Sequence, residues 1–299
     1  MRSLAKDFQF WMLVLPLLLF SIAIFKPTLQ MQRPLFNYVF VIDITQSMNA
    51  RDYHVTDFPS DRLSVVKQSI KHALQKLPCD SKVSLGLFTN KNVFMLFEPL
   101  EICQHYNVLE QSLMKIDWRM AWAADSHIAR GIYTSIKEIS RMADKPRLVF
   151  FTDGQQSPIN IKEPLFLLKP GVVQGMIVGV GNLQPVPIPR LDNNNVPQGY
   201  WQIEETGSFP TDEAEQVTSN GNYLSSVQEH ELQRFAAITG LEYRHLETPK
   251  LLSLDLMLPE FSQPRQVATD ISWMFVVLAL SCFLLPYFFR YQLFGYGSR

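Results

Sequence analysis

Cysteine is scarce in this protein: three among 299 residues, at positions 79, 103 and 282. That is too few, and too scattered, for a disulfide framework. Cys282 lies in a strongly apolar stretch and is expected to be inert. Cys79 and Cys103 fit either a disulfide in an oxidising compartment or two buried thiols, and the second is the expectation. An excess of charge of one sign is also missing. The formal net charge is −1, which removes the electrostatic case for nucleic acid as the main partner. No Gly-rich phosphate loop ending in Lys-Ser/Thr occurs, and Gly179-Val180-Gly181 lacks the third glycine and helix start of a dinucleotide fingerprint. The six histidines show no metal-ligand spacing, and His127 is expected to be a surface or supporting residue. Nothing resembles a strained nucleophile turn.

Two stretches lack charge altogether, Phe8–Phe25 and Ile271–Phe289. A spanning helix needs roughly 20 apolar residues, and Trp11, Trp273 and Tyr287 sit where interfacial aromatics are expected. No small-x-small cleavage site follows the first stretch, so an uncleaved anchor is expected rather than a signal peptide. Arg2 and Lys6 precede the first stretch; Arg290 and Arg299 follow the second. The positive-inside bias puts residues 1–7 and 290–299 in the cytoplasm. The expected layout is a span over 8–25, a domain over about 35–265 facing the periplasm, and a span over 271–289 in a bacterial inner membrane.

Strand and helix patterns alternate between the stretches. Tyr38–Ile42, Val83–Phe88, Val93–Phe97, Arg147–Phe151 and Val172–Val180 read as strands, several of them continuous apolar runs of the buried kind. Thr89–Asn92 reads as a hairpin link. Arg62–Leu77, Asn107–Ile116, His127–Met142 and Gln228–Thr239 read as helices, the last ending at Gly240. Glu242–Leu246 reads as a final edge strand. This order predicts an α/β fold, a doubly wound, mostly parallel sheet with one antiparallel edge member. Residues 183–226 are rich in Pro, Asn, Gly and acidic residues and read as a loop or hairpin excursion rather than a domain.

In such sheets ligands sit at the carboxyl ends of the strands, where the strand order reverses. Two strand ends carry chemistry there. Asp43-Ile44-Thr45-Gln46-Ser47 sets a carboxylate and two hydroxyls at alternate positions. Thr152-Asp153-Gly154 adds a second carboxylate, with a glycine that permits a sharp turn. Oxygen donors of this kind suit a hard cation such as Mg²⁺, with Mn²⁺ or Ca²⁺ as alternatives. Either motif alone is an ordinary helix cap or turn; the two in this order, each after a buried strand, make a metal site the expectation.

The pattern resembles the metal-ion-dependent adhesion site of von Willebrand factor A domains. The resemblance matches Asp43, Thr45 (in place of a Ser), Ser47 and Asp153 to the family's site. Ser126 falls in the less clean middle loop, where Asp125 replaces a glycine and offers a third carboxylate. It implies that a partner protein's carboxylate completes the coordination, and that the protein is a binding module rather than an enzyme. Met48–Asp52 with Arg62-Leu63, Pro187-Ile188-Pro189 ahead of Gly199-Tyr200, and Leu232–Tyr243 are similar to the Bat (aerotolerance) group of bacterial membrane proteins. A narrower likeness is to the MxaL-type proteins encoded with methanol oxidation genes. Such relatives commonly work beside MoxR-type AAA+ ATPases in assembling or activating other proteins, which points to methanol dehydrogenase maturation in the periplasm. Other readings are a Mg²⁺-dependent phosphate-ester hydrolase, with Asp125 as its only acid/base candidate, and a cell-surface adhesin. Asp43-Ile44-Thr45 is discounted as a phosphatase nucleophile loop, because Thr45 stands where the acid/base carboxylate is needed.

Overall fold

The computed structural model describes residues 14–54, 60–123, 125–158, 163–205, 218 and 221–294, with side chains to Leu284. The strands are β1 Thr28–Leu35, β2 Tyr38–Asp43, β3 Lys82–Thr89, β4 Asn92–Met95, β5 Leu100–Glu101, β6 Arg147–Thr152 and β7 Gly175–Gly179. After them come β8 Val186–Pro187, β9 Pro189–Leu191, β10 Pro197–Tyr200, β11 Leu224–Ser225, β12 Glu242–His245 and β13 Gln263–Asp270. The labelled helices are α1 Arg62–Leu74, α2 Ile102–Lys115, α3 Ile128–Ser140, α4 Glu229–Thr239, α5 Pro249–Asp255 and α6 Ser272–Phe294.

Two compact units make up the molecule, Leu35–Gln263 and the flanking Met1–Pro34 with Pro264–Arg299. In the larger unit the sheet order is β12-β7-β6-β2-β3-β4, with β5 also on β3. The pairs β12/β7, β7/β6, β6/β2 and β2/β3 are parallel. The hairpin partner β4 and the short β5 run antiparallel to β3. The path moves from β2 to β3 on one side and then returns across β2 to β6. The strand order therefore reverses at β2, and the crevice of a doubly wound sheet opens at its carboxyl end.

Burial explains the layers. All six residues of β2 and all six of β6 are buried. Tyr38, Phe40 and Ile42 pack with Leu63, Val66 and Ile70 of α1, Leu109 and Leu113 of α2, and Leu252 of α5. Val39 and Val41 pack with Ile128, Ile132 and Ile136 of α3 and Leu232 and Phe235 of α4. The period-two alternation of a strand thus feeds two apolar cores, one on each face.

Several boundaries differ from the sequence reading. α2 begins at Ile102, five positions before the expected Asn107, because the Glu101 carboxylate caps it by accepting from the Cys103 and Gln104 N–H groups. β7 is shorter than Val172–Val180 and enters the sheet at Gly175, where a Cβ would lie 1.9 Å from the Leu148 carbonyl oxygen. α4 ends at Gly240 in the left-handed conformation, as expected for a C-cap. The excursion 183–226 includes two small two-stranded sheets, β9 with β10 and β8 with β11. α5, β1 and β13 escaped the sequence reading.

Cys79 and Cys103 correct the buried-thiol expectation: both are exposed and they are joined in a disulfide. Pairing takes two sulfurs into one cross-link at the start of α2, which needs no apolar surroundings. In the flanking unit β1 pairs with β13, residues 14–24 are helical, and α6 runs for 23 residues. Residues 8–13 of the first expected span lie outside the described residues, as do side chains beyond Leu284. Among the described residues, no helix is long and apolar enough to cross a membrane.

Candidate metal-binding cleft

The loop leaving β2 folds back on its own carboxylate. Asp43 Oδ1 accepts from the Thr45 N–H at 2.9 Å and from Thr45 Oγ1 at 2.7 Å. Asp43 Oδ2 accepts from Thr152 Oγ1 at 2.7 Å, which locks the end of β2 to the end of β6. Thr45 Oγ1 lies 3.4 Å from Ser47 Oγ. Because the Thr45 hydroxyl gives its proton to Asp43, its lone pairs remain for another partner.

Across the switch point, Asp153 Oδ1 accepts from the Gln155 N–H at 3.0 Å. Gly154 makes this turn with φ 79°, and a Cβ there would come within 2.8 Å of Leu232. Ser126 sits in an extended segment bridged to Asn90 after β3 and to Ser157 after β6. Its Oγ is buried and has no hydrogen-bond partner among the described residues. Thr45, Ser47 and Ser126 together line an open cleft with Gln46, Gln155 and Ser157. The far wall comes from the excursion: Ile188, Trp201, Glu205 and Tyr223.

Asp43 and Asp153 do not line this cleft; both are wholly buried. Asp43 reaches it through the Thr45 hydroxyl. Asp153 is bound instead by Arg62, whose Nη1 donates to Asp153 Oδ2 at 2.8 Å and to the Ser47 carbonyl at 3.2 Å. Asp125 is exposed and outside the cleft, so it supplies no third carboxylate and no acid/base group there. His127 is half-buried, with its pKa lowered mainly by burial, and does not line the cleft either.

Arg62 is the group that sequence reasoning missed as a functional residue. It is fully buried. Besides Asp153, it donates to Asp52 Oδ2 at 2.6 Å from Nη2 and at 3.0 Å from Nε, and to Ser225 Oγ at 2.6 Å from Nη1. Ser225, from β11, also donates to Asp153 Oδ2 at 3.0 Å. Gly181 (φ 106°) leaves the room: a Cβ there would fall 2.4 Å from Arg62 Nε. Burial opposes the Arg62 charge, but Asp153 and Asp52 reverse the effect and raise its pKa.

Charge is the test of whether a cation fits. Three buried carboxylates (Asp43, Asp52, Asp153) face one buried guanidinium. Among the described residues Asp43 has no cationic partner. Burial first and the Asp153 charge second push its carboxyl up to about 7, against the pull of its Thr152 and Thr45 hydrogen bonds. Free hydroxyl lone pairs, an orphaned Ser126 Oγ and uncompensated negative charge are together what a hard divalent ion relieves. The donor set fits such an ion.

Residues 38–156 match the sequence profile of the von Willebrand factor type A domain. No curated protein matches by sequence. Among solved structures, the protein is similar to the conserved hypothetical protein BatB from Bacteroides thetaiotaomicron, at 17% identity and TM-score 0.53, covering 75% of this chain and 98% of that one. It is also similar to an aerotolerance-related membrane protein from Bacteroides fragilis NCTC 9343, crystallised with multiple mutations to serines. That likeness has 18% identity and TM-score 0.50, covering 74% of this chain and 96% of the other. At these identities the likenesses show the fold.

Proposed function

We propose, from the match of residues 38–156 to the von Willebrand factor type A domain, that the protein is a membrane-anchored docking protein that holds a divalent cation in the cleft beside β2 and β6. The Thr45, Ser47 and Ser126 hydroxyls hold the ion, and Asp43 supplies the charge behind them, while Asp153 stays paired with Arg62. Bound Mg²⁺ offers an open position to an oxygen anion, and a carboxylate of a partner protein takes it. The observation that carries this reading is the hydroxyl cluster wired to a buried, uncompensated Asp43 in an open cleft at the switch point. Type A domains generally serve as interaction modules. Among the described residues, Glu205 is the one carboxylate that lines this cleft, and it is tied to Arg190 at 3.0 Å.

The Cys79–Cys103 disulfide supports an oxidising compartment for the domain. With the two uncharged stretches, it favours spans at 8–25 and 271–289, cytoplasmic ends and a periplasmic domain. The similar structure from Bacteroides fragilis is that of a membrane protein, in agreement with that placement. Resemblance to the Bat and MxaL types extends the proposal to assembly or maturation of a periplasmic enzyme complex, such as methanol dehydrogenase, together with a MoxR-type ATPase.

The test is Mg²⁺-dependent capture. A photo-crosslinker at Gln46 in the full-length protein, in native membranes, captures a protein in Mg²⁺ but not in EDTA, and Asp43→Asn abolishes the capture. Equal capture in all three conditions refutes the proposal.

A further inference from the structure

The cleft has two unlike walls: the hydroxyls of Thr45, Ser47 and Ser126, and the excursion residues Ile188, Trp201 and Tyr223. Three polar atoms of its lining residues are buried without a partner among the described residues: Ser126 Oγ, Gln155 Oε1 and Trp201 Nε1. Ser126 is 3% exposed and Gln155 7%. Such atoms cost stability unless something in the cleft satisfies them.

Their chemistry narrows what that is. Ser126 Oγ belongs with the cation ligands. The Gln155 amide is fixed by its Nε2, which donates to Tyr223 Oη and to the Leu224 carbonyl, each at 3.0 Å. Its Oε1 is left over and can only accept, whereas the indole Nε1–H of Trp201 can only donate. One leftover acceptor and one leftover donor are the complement of a peptide backbone, which offers an N–H and a carbonyl oxygen. Ile188 and the rings of Trp201 and Tyr223 add apolar surface. Glu205 does not repel an acidic ligand on its own, since Arg190 pairs with it at 3.0 Å while lying over the Trp201 ring at 5.2 Å.

We propose that the excursion makes the cleft a reader of extended peptide. A partner's acidic residue reaches the cation, its backbone N–H donates to Gln155 Oε1, its backbone carbonyl accepts from Trp201 Nε1, and a neighbouring apolar side chain lies on Ile188 and Tyr223. This rests on the cation-docking reading and adds a second, cation-independent set of contacts to it. It assigns selectivity to Gln155 and to the excursion residues, none of which is a cation ligand.

The experiment uses the full-length protein in detergent with Mg²⁺ and two probes, propionate (a bare carboxylate) and the blocked peptide acetyl-leucyl-aspartyl-leucyl-amide, titrated by ligand-observed NMR. The peptide binds roughly tenfold or more tighter than propionate. Trp201→Phe keeps an aromatic ring but removes the N–H. It weakens the peptide about fivefold and leaves Mg²⁺ and propionate binding unchanged. If Mg²⁺ and propionate bind but the peptide binds no tighter than propionate, or if Trp201→Phe leaves the peptide unaffected, the orphaned atoms hold only water and the proposal is overturned. Absence of any Mg²⁺ response in the wild type instead overturns the docking reading beneath it.

Discussion

Asp43 makes a pH-dependent prediction for the cation-free protein. Its carboxyl titrates near 3.8 in the unfolded state and near 7 in the folded one, raised by burial and then by Asp153. The folded state therefore holds this proton more tightly than the unfolded state does. Below about pH 4 both states are protonated and the group costs nothing. As pH rises towards about 7 the unfolded state ionises freely while the folded state resists, so stability falls; above about 7 the loss is complete. At about 1.36 kcal/mol per pKa unit the full loss is about 4 kcal/mol. Asp43→Asn cannot ionise, and it keeps an oxygen for the two Thr45 donors. In EDTA at about pH 8 the variant should exceed the wild type in unfolding free energy by about 2–4 kcal/mol, with the difference shrinking towards zero at about pH 4. Mg²⁺ at about a hundred times its Kd should return about 2.7 kcal/mol to the wild type and nothing to the variant. Urea unfolding of the full-length protein in detergent, followed by near-ultraviolet circular dichroism at about pH 4, 6 and 8, measures both terms. A wild-type-to-variant difference in EDTA that stays constant across that pH range refutes the reasoning.

Two further outcomes follow from the buried network and the cross-link. Asp153→Ala leaves the Arg62 guanidinium paired with Asp52 but removes the buried hydrogen-bond acceptor for Arg62, Ser225 and the Gln155 N–H, and should cost about 1–3 kcal/mol. Asp153→Asn keeps an acceptor for the Gln155 N–H and should cost less; equal urea midpoints for Asp153→Ala and the wild type would contradict this. Cys103→Ser removes a cross-link between residues 24 apart and should cost about 3 kcal/mol. In the untreated protein, Cys79 and Cys103 should resist alkylation until a reductant is added, as read by mass spectrometry. Their modification without reductant would show that the bond is not formed.

Much of the sheet was legible because buried strands are written as short continuous apolar runs. Tyr38–Ile42 and Arg147–Phe151 each came within one residue of the observed strand, since both faces of these strands meet helices and neither tolerates polar side chains. The excursion was legible as an irregular, Pro-rich segment, but its place over the cleft was not. β1 was missed because it is exposed along nearly its whole length, with polar residues interrupting a weak Leu29/Met31 alternation, and its partner β13 is mostly exposed or half-buried too.

At the candidate site, the motifs after β2 and β6 could be read because strand ends and the order of elements fix where they stand. Arg62 could not. It is the first residue of α1, just after the N-cap Asp61, where a charged side chain ordinarily faces solvent. Its burial comes from Asp52, Ser225 and the missing side chain of Gly181, contributed by segments far apart in sequence.

By itself, then, the order of apolar runs and turns determined a doubly wound sheet, and with it which edge would gather Asp43, Thr45, Ser47 and Asp153. Periodicity and the order of elements along the chain are properties of the sequence itself, so it carries them directly. Only the tertiary structure decided that Arg62 neutralises Asp153 while Asp43 is left uncompensated, that Cys79 meets Cys103, and that Trp201 and Gln155 line the cleft opposite the hydroxyls. Burial and charge pairing depend on what distant segments bring to one point, and no stretch of sequence states that alone.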